Sequence, residues 1–449
     1  MGTAVIILAA GQGTRMQSDL PKVLHKLAGA PLLLHALRTA DGIEAEKTIV
    51  VVGPERQDVQ TAAENYNDEV VCVVQPEQLG TGHAAAQAKT ALAGFSGNAI
   101  VLFGDTPFIT PATLDAMQQA RADGSDVVVL GFQAEDPARY GRLVVNDGQL
   151  DAIVEAKDAS PDELAITLCN SGVICCDSAM MFDLIDATNN ENASQEYYLT
   201  SIIGIARSRG LTCSVVTCAE AETLGINSRA DLANAESVFQ DRSRREALEN
   251  GITLSAPDTV YFSFDTVVGR DVTIGPNVVF GPEVTVETGA TIAAFCHLEG
   301  CHISRDATIG PFARLRPGAE IGEEAHIGNF VEIKNSLVAE GAKINHLSYI
   351  GDADIGKAAN IGAGTITCNY DGVFKHRTKI GAKAFIGSNS SLVAPVSIGA
   401  EALIGSGSVI TSDVAAGDLA VARGRQETKP GLGIRFMDRL RALKAKRTN

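Results

Sequence analysis

Along residues 268–410 an aliphatic or aromatic side chain returns at every sixth position, usually followed by a small or polar residue. The series opens with Val268, Ile274, Phe280, Val286, Ile292 and Leu298. It resumes after a one-residue slip with Ile303, Ile309, Leu315, Ile321, Ile327 and Ile333. Slips near Val338 and Ile355 precede a last run of Ile380, Ile386, Leu392, Ile398, Ile404 and Ile410. Six residues make one short strand and its corner, so this period predicts hexapeptide repeats wound into a parallel β-helix. Three repeats close a triangular coil with the marked side chains inside. About eight coils at roughly 4.8 Å per layer give a prism on the order of 40 Å long. Glycine often follows the apolar position (Gly275, Gly281, Gly310, Gly322, Gly328, Gly362, Gly381, Gly387, Gly405), as corners with φ > 0 or close backbone approach require.

The amino half has a different rhythm. Apolar runs at 4–8, 48–52, 70–74, 99–103 and 127–132 alternate with amphipathic stretches such as 32–40 and 82–93. That alternation predicts an α/β, doubly wound and largely parallel sheet, with its ligand at the carboxyl ends of the strands. Ser228-Arg229-Ala230-Asp231 reads as an acidic variant of a capping box, in which the shorter Asp231 reaches back less well than Glu. A helical pattern follows until Gly251, a natural stop. The expected organisation is an α/β domain over 1–227, a rigid helical linker over 228–250 that holds the domains apart, and the β-helix over 251–449. From about residue 430 the tail is basic and amphipathic, with Arg435, Arg439, Arg441, Lys444, Lys446 and Arg447 among Phe436, Met437, Leu440 and Leu443. It suits packing on a neighbouring subunit better than a membrane surface.

At 449 residues and a formal charge of −17 the chain lacks the basic stripe a nucleic-acid partner needs. Nine scattered cysteines without a CxxC pair point to reduced thiols in a cytoplasmic protein. The apolar run 4–10 is too short to span a bilayer, so no membrane insertion is expected.

Candidate chemistry begins where the first strand ends. Leu8-Ala9-Ala10-Gly11-Gln12-Gly13-Thr14-Arg15 frees backbone N–H groups for a phosphate, a helix can follow, and Arg15 and Lys22 can neutralise polyphosphate. The third glycine of a dinucleotide fingerprint is missing, Met16 holding its place, and there is no GK[ST], so dehydrogenase and P-loop readings lose ground. Gly80-Thr81-Gly82 is by itself a turn entering a helix that Thr81 could cap. Asp105 closes an apolar strand, where it suits a metal against phosphate oxygens or simply a helix cap. In the repeat, Arg314, Arg316 and Lys334 cluster beside the coil, His346 and Tyr349 share a corner, and the phase breaks over 365–378. A loop thrown from a regular prism is a usual place for function.

These motifs resemble, in order, those of the bifunctional N-acetylglucosamine-1-phosphate uridyltransferase / glucosamine-1-phosphate N-acetyltransferase family. Residues 8–15 with Pro21-Lys22 look like the sugar-nucleotidyltransferase signature, and Gln75-Pro76-Glu77-Gln78-Leu79-Gly80-Thr81-Gly82-His83 looks like its uracil-reading segment. The resemblance implies a Rossmann-like uridyltransferase domain and a left-handed parallel β-helix. It implies that Leu8, Ala9, Ala10, Gly11, Lys22, Gln75, Gly80, Thr81, Gly141, Glu155, Asn170 and Asn227 bind UDP-N-acetylglucosamine, and that Asp105 and Asn227 hold Mg²⁺. Gln195-Glu196-Tyr197-Tyr198 matches a sugar-side loop, although Ser201 stands where an acid is expected. In the second half it implies His346 as base, Arg316, Lys334, Tyr349 and Asn360 on the sugar phosphate, and Ala363, Asn369, Tyr370, Ser388, Ser406 and Arg423 on acetyl-CoA. Imidazole suits removal of an ammonium proton near neutral pH. The implied substrates are glucosamine-1-phosphate, acetyl-CoA and UTP, the implied assembly a homotrimer, and the implied role a supply of precursor for peptidoglycan and lipopolysaccharide.

Two alternatives stay in view. The repeat can be a structural or regulatory appendage of a monofunctional sugar-nucleotidyltransferase. His297, His302 and His326 can also imitate the intersubunit zinc set of gamma-class carbonic anhydrases, which also use this prism.

Overall fold

Strand β1 (Gly2–Leu8) is buried from Thr3 onward because parallel partners flank it on both sides. The computed structural model describes residues 2–138, 140–192 and 194–447. The other strands of the first sheet are β2 (Lys47–Val52), β3 (Val71–Val74), β4 (Gly97–Phe103), β5 (Val127–Gln133), β6 (Arg142–Asn146), β7 (Gln149–Val154), β8 (Leu168–Asp177) and β9 (Cys213–Cys218). Their order is β9-β5-β8-β4-β1-β2-β3, with the β6–β7 hairpin branching from β8. The sheet is mixed: β8 runs antiparallel to both β4 and β5, which the apolar runs alone did not reveal. Alternate residues of β1 feed two cores, Ala4, Ile6 and Leu8 on one face and Val5 and Ile7 on the other.

Leu8 and Phe103 are register partners, so the loops after β1 and β4 leave one edge side by side. The chain after β1 turns to β2 on one side, while β4 arrives on the other, which makes a topological switch point. No α-helix opens directly at the glycine-rich loop; the next one is Leu32–Gly42. Gly13 and Gln17 are left-handed (φ 64° and 48°) and bracket a single 3-10 turn, Thr14–Met16.

Helix α1 (Arg229–Glu249) packs Leu232, Ala235, Val238 and Phe239 on Leu27, Leu32, Phe108 and Ile226. By compactness the chain divides into one unit running to Arg245 with Phe262–Phe264, and a second holding Glu246–Tyr261 and everything from Asp265. Most of α1 thus belongs to the first unit. Asp231 does reach back: its Oδ2 accepts from the backbone of Asn227 (3.0 Å) and Ser228 (2.9 Å), while Ser228 Oγ accepts from Asp231 N.

The second unit stacks short strands into three parallel sheets of ten, eight and eight. The six-residue positions point inward: Ile274, Ile292, Ile309, Ile327, Ile344 and Ile361 stack in register with no more than 3% exposure. Among the glycines that follow apolar positions, Gly310 is left-handed (φ 92°), whereas the rest mark close approach. At Gly328 an added Cβ would lie 2.0 Å from Asn345 O. The left-handed corners are mostly other residues, including Phe295, Phe312, Phe330 and Leu347 at φ 52–60°. The three phenyl rings form an exposed ladder, with centroids 4.9 and 5.1 Å apart. The phase break is narrower than its sequence limits, because Ile366–Cys368 and Thr378–Ile380 are strands and the loop proper is 369–377.

Candidate functional sites

At the switch point of the first unit, two cations and two oxygen donors meet. The Lys22 ammonium pairs with the Asp105 carboxylate and donates to Asn227 Oδ1 at 3.2 Å. Arg15 Nη2 donates to the same Asn227 oxygen at 2.8 Å. Gly13 allows this: a Cβ there would lie 2.5 Å from Lys22 Cβ. Asn227 is held through its backbone by Asp231, and Asp105 O accepts from Ile226 N (2.9 Å). Carboxylate and amide oxygens are both hard donors, and here they converge on one ammonium nitrogen, so the pair fits a divalent cation that keeps its other positions for phosphate and water. Among the described residues no group of three or more His, Cys, Asp or Glu side chains is arranged to hold a metal.

Leu8, Ala9 and Ala10 are buried and Gly11 is exposed at the mouth of this edge. Ala9 N donates to Val51 O (2.9 Å), and Gln78 Nε2 donates to Ala10 O. Gln75 is 3% exposed, with its amide nitrogen on Gly80 O and His83 Nδ1, both at 3.2 Å. Gly80 is left-handed (φ 107°), and a Cβ there would lie 2.7 Å from Tyr197 O. Thr81 is not the cap of the helix Thr81–Ala86. Gly80 takes that place, and the Thr81 hydroxyl accepts from Leu199 N (3.0 Å), tying this turn to the residue that follows the 195–198 segment.

Gly141 and Asn170 are joined, Asn170 N donating to Gly141 O at 2.8 Å, and Asn170 Oδ1 accepts from Gly172 N. Gly172 (φ 92°) leaves room for the Phe103 ring, whose edge a Cβ would meet at 2.6 Å. Burial pushes the Glu155 carboxyl above its ordinary range, with Lys157 pulling the other way.

The second unit builds its cluster by register. Asn329 pairs with His346 on the next coil, and continuing the ladders Ile344–Ile361, Ile361–Ile386 and Ile386–Ile404 by two residues puts Ala363, Ser388 and Ser406 in the same column. His346 Nδ1 lies 2.8 Å from Asn329 Oδ1. An amide oxygen only accepts, so that contact puts the proton on Nδ1 and leaves the Nε2 lone pair free. Arg423 donates to Ser406 O, and Ser388 O accepts from Gly407 N (2.8 Å), so both serines use their backbones at this edge.

On the adjoining face Arg316, Lys334 and Gly351 stack in successive coils. Arg316 is paired with Glu332 at 2.8 Å. The Lys375 ammonium beside Lys334 holds the Lys334 pKa below its usual value, and Arg316 adds to that effect. Such crowding of positive charge favours an anion. Tyr349 and Asn369 come close over Gly351, where a Cβ would lie 2.5 Å from the Tyr349 hydroxyl and 2.8 Å from Asn369 Nδ2. Asn369 and Asn335 each donate to Asp352. Tyr370 is 60% exposed on the loop, and Asn360 is half-buried on the sheet that carries His346, one coil on.

Asn329 and Lys375 escaped the sequence reading. Asn329 is visible only once 17-residue coil spacing is applied backward from His346, and Lys375 sits in the loop where phase is lost. The three histidines of the zinc alternative lie on three different sheets of the prism, His302 between Glu287 (2.9 Å) and Glu320 (3.4 Å).

Residues 5–193 match the model of the MobA-like NTP transferase domain. Residues 265–300, 300–335 and 377–412 match the bacterial transferase hexapeptide model. The chain is similar along nearly its whole length to proteins named bifunctional protein GlmU. Identity is 60% with that of Ruegeria sp. (strain TM1040), over 99% of both chains. It is 62% with that of Dinoroseobacter shibae, again over 99% of both, and 60% with that of Roseobacter denitrificans, over 99% of each.

Proposed function

The chain belongs to the family of bifunctional GlmU proteins, and on that premise we propose how its residues divide two reactions of UDP-N-acetylglucosamine synthesis. The carboxyl half acetylates glucosamine-1-phosphate with acetyl-CoA, and the amino half transfers UMP from UTP to the product. What carries the reading is that each half has its own convergent cluster: Lys22, Arg15, Asp105 and Asn227 in one, and His346 on Asn329 beside Arg316 and Lys334 in the other.

In acetyl transfer the cationic face of Arg316, Lys334 and Lys375 holds the sugar phosphate, with Tyr349 and Asn360 at the sugar. His346 Nε2 takes the ammonium proton and passes it to solvent, the freed amine attacks the thioester carbonyl to form the C–N bond, and as the C–S bond breaks Nε2 takes the second nitrogen proton and hands it to the leaving CoA sulfur. Asn329 keeps Nδ1 protonated so that Nε2 is the basic atom. Ala363, Asn369, Tyr370, Ser388, Ser406 and Arg423 line the path for acetyl-CoA.

In uridylyl transfer a phosphate oxygen of N-acetylglucosamine-1-phosphate forms a bond to the α-phosphorus of UTP as the bond to pyrophosphate breaks. Arg15 and Lys22 offset the charge that develops, a positioning and electrostatic task. Asp105 and Asn227 would hold Mg²⁺, which supplies further charge neutralisation at the phosphate oxygens. Gln75, Gly80 and Thr81 face the base, and Gly141, Glu155 and Asn170 face the sugar and ribose. The Lys22 ammonium, here on Asp105 and Asn227, would be released to phosphate where those two oxygens hold the cation.

Left-handed coiling, a homotrimer built through the β-helix and a cytoplasmic setting are part of the same proposal. The ladder of Phe295, Phe312 and Phe330, 44–55% exposed, supports association of copies along that edge. Among the described residues no helix is long and apolar enough to cross a membrane. The test is an assay with glucosamine-1-phosphate, acetyl-CoA, UTP and Mg²⁺ that follows CoA and pyrophosphate separately. Both are expected, and pyrophosphate release without CoA would support an appendage role for the β-helix instead.

A further inference from the structure

The Gln75 carboxamide is buried, at 3% exposure, and its nitrogen has two contacts: Gly80 O and His83 Nδ1, both at 3.2 Å. A primary amide nitrogen has two hydrogens, so both are used. The contact with Gly80 decides which end of the amide is which, because a carbonyl oxygen can only accept. That carbonyl cannot turn away. It takes the first helical bond from Ala84 N (3.0 Å), and the residues on either side are clamped by Gly82 N on Tyr197 O and Tyr197 N on Leu79 O, both 2.8 Å.

His83 has a second neighbour, Gln87 Nε2, at 3.2 Å from its Nε2, and Gln87 is itself turned by its donation to His83 O at 2.9 Å. A neutral imidazole offers one lone pair. Gln75 is buried and Gln87 only half-buried and free to adjust, so the lone pair serves Gln75 from Nδ1; the Nε2–H then faces the Gln87 amide, whose nitrogen keeps its bond to His83 O.

Gln75 Oε1 is then left as a fixed acceptor. Uracil presents an N–H at position 3, and cytosine presents a lone pair there. Accepting cytosine requires the amide to turn over, which sets Oε1 against Gly80 O and strips His83 Nδ1 of its donor. We propose that His83 is a positioning residue for nucleotide choice: it holds the polarity of Gln75 and so makes the site select UTP over CTP. This rests on the reading of Gln75 as the group that faces the base.

The test measures kcat/KM with UTP and with CTP, by pyrophosphate release, in the full-length enzyme and in His83→Phe, His83→Asn and Gln75→Ala. CoA release from the other site checks folding. The UTP:CTP ratio is expected to fall about tenfold in His83→Phe, the scale of one lost hydrogen-bond preference. His83→Asn restores it to within about twofold, because its Oδ1 takes the place of the imidazole Nδ1 lone pair. If His83→Phe lowers both substrates equally and leaves the ratio unchanged, His83 is merely structural and the proposal is overturned. If Gln75→Ala also leaves the ratio unchanged, the base-facing reading of Gln75 has failed. If only Gln75→Ala collapses the ratio, that reading stands and the His83 inference alone is lost.

Discussion

The two candidate sites of this chain are assembled by opposite means. In the α/β unit, Arg15, Lys22, Asp105 and Asn227 come from distant points and meet because strands β1 and β4 end together and Asp231 pins the start of α1. In the β-helix, Asn329, His346, Ala363, Ser388 and Ser406 form a column because each coil repeats the last. The first arrangement depends on individual contacts. The second depends on the spacing between coils, so damage to a backbone column reaches every member of the site.

Asp105→Ala attacks the first kind. It should lower pyrophosphate release by about 100-fold or more, at or beyond the upper range for lost support around a bound metal, and leave CoA release near the wild-type rate. A variant that loses both activities together would erase the contrast.

Gly328→Ala attacks the second kind, because the new Cβ would meet Asn345 O at 2.0 Å and must push apart the coils that bear Asn329 and His346. Overpacking of this sort costs about 1–3 kcal/mol, read as a lower unfolding midpoint of the β-helix, and acetyl transfer should fall by more than tenfold (about 1.4 kcal/mol). Uridylyl transfer is expected to survive at temperatures where the β-helix remains folded.

Asn329→Ala removes one contact from the same column without moving the coils. Loss of a single hydrogen bond worth about 1 kcal/mol predicts a roughly fivefold drop in kcat for acetyl transfer, with KM for both substrates unchanged. A rise in KM with kcat intact would assign Asn329 to substrate binding instead.

The smallest effect concerns the loop 369–377. The His376 ring, together with the N–H groups of Phe374 and Val373, holds the Asp371 carboxyl down to about 2, from 3.8. A depressed carboxylate stabilises the fold fully above its unfolded value and loses that contribution as pH falls through its folded value. Amide-exchange protection of Val373 and Phe374 should therefore be constant above pH 4 and decline toward pH 2. Protection that stays constant down to pH 2 would show that the Asp371 carboxylate does not hold these two N–H groups.

The β-helix was largely legible because its period is written in single residues, with each sixth side chain buried. Its corners were not. Glycine marked crowding at Gly328 and similar positions, while Phe295, Phe312 and Phe330 carried the left-handed turns that a local steric rule assigns to glycine. In the α/β unit the five apolar runs announced strands, but β8 and its direction depend on pairing across the sheet, which periodicity does not encode. Lys22, Asp105 and Asn227 stood out through motif resemblance, and their convergence follows from register. Asn329 and His83 carried no signal of their own, since each stands out only through its contact with another side chain.

If one chain holds two separate chemistries, His346→Ala with parallel detection of CoA and pyrophosphate must split them. Loss of a general base predicts CoA release reduced by roughly 10²–10⁴-fold. Pyrophosphate release from UTP and N-acetylglucosamine-1-phosphate should stay within about twofold of wild type, a difference of less than 1 kcal/mol. Normal CoA release in this variant would show that His346 is not the base, and a matching fall in pyrophosphate would show that the two chemistries are not separate.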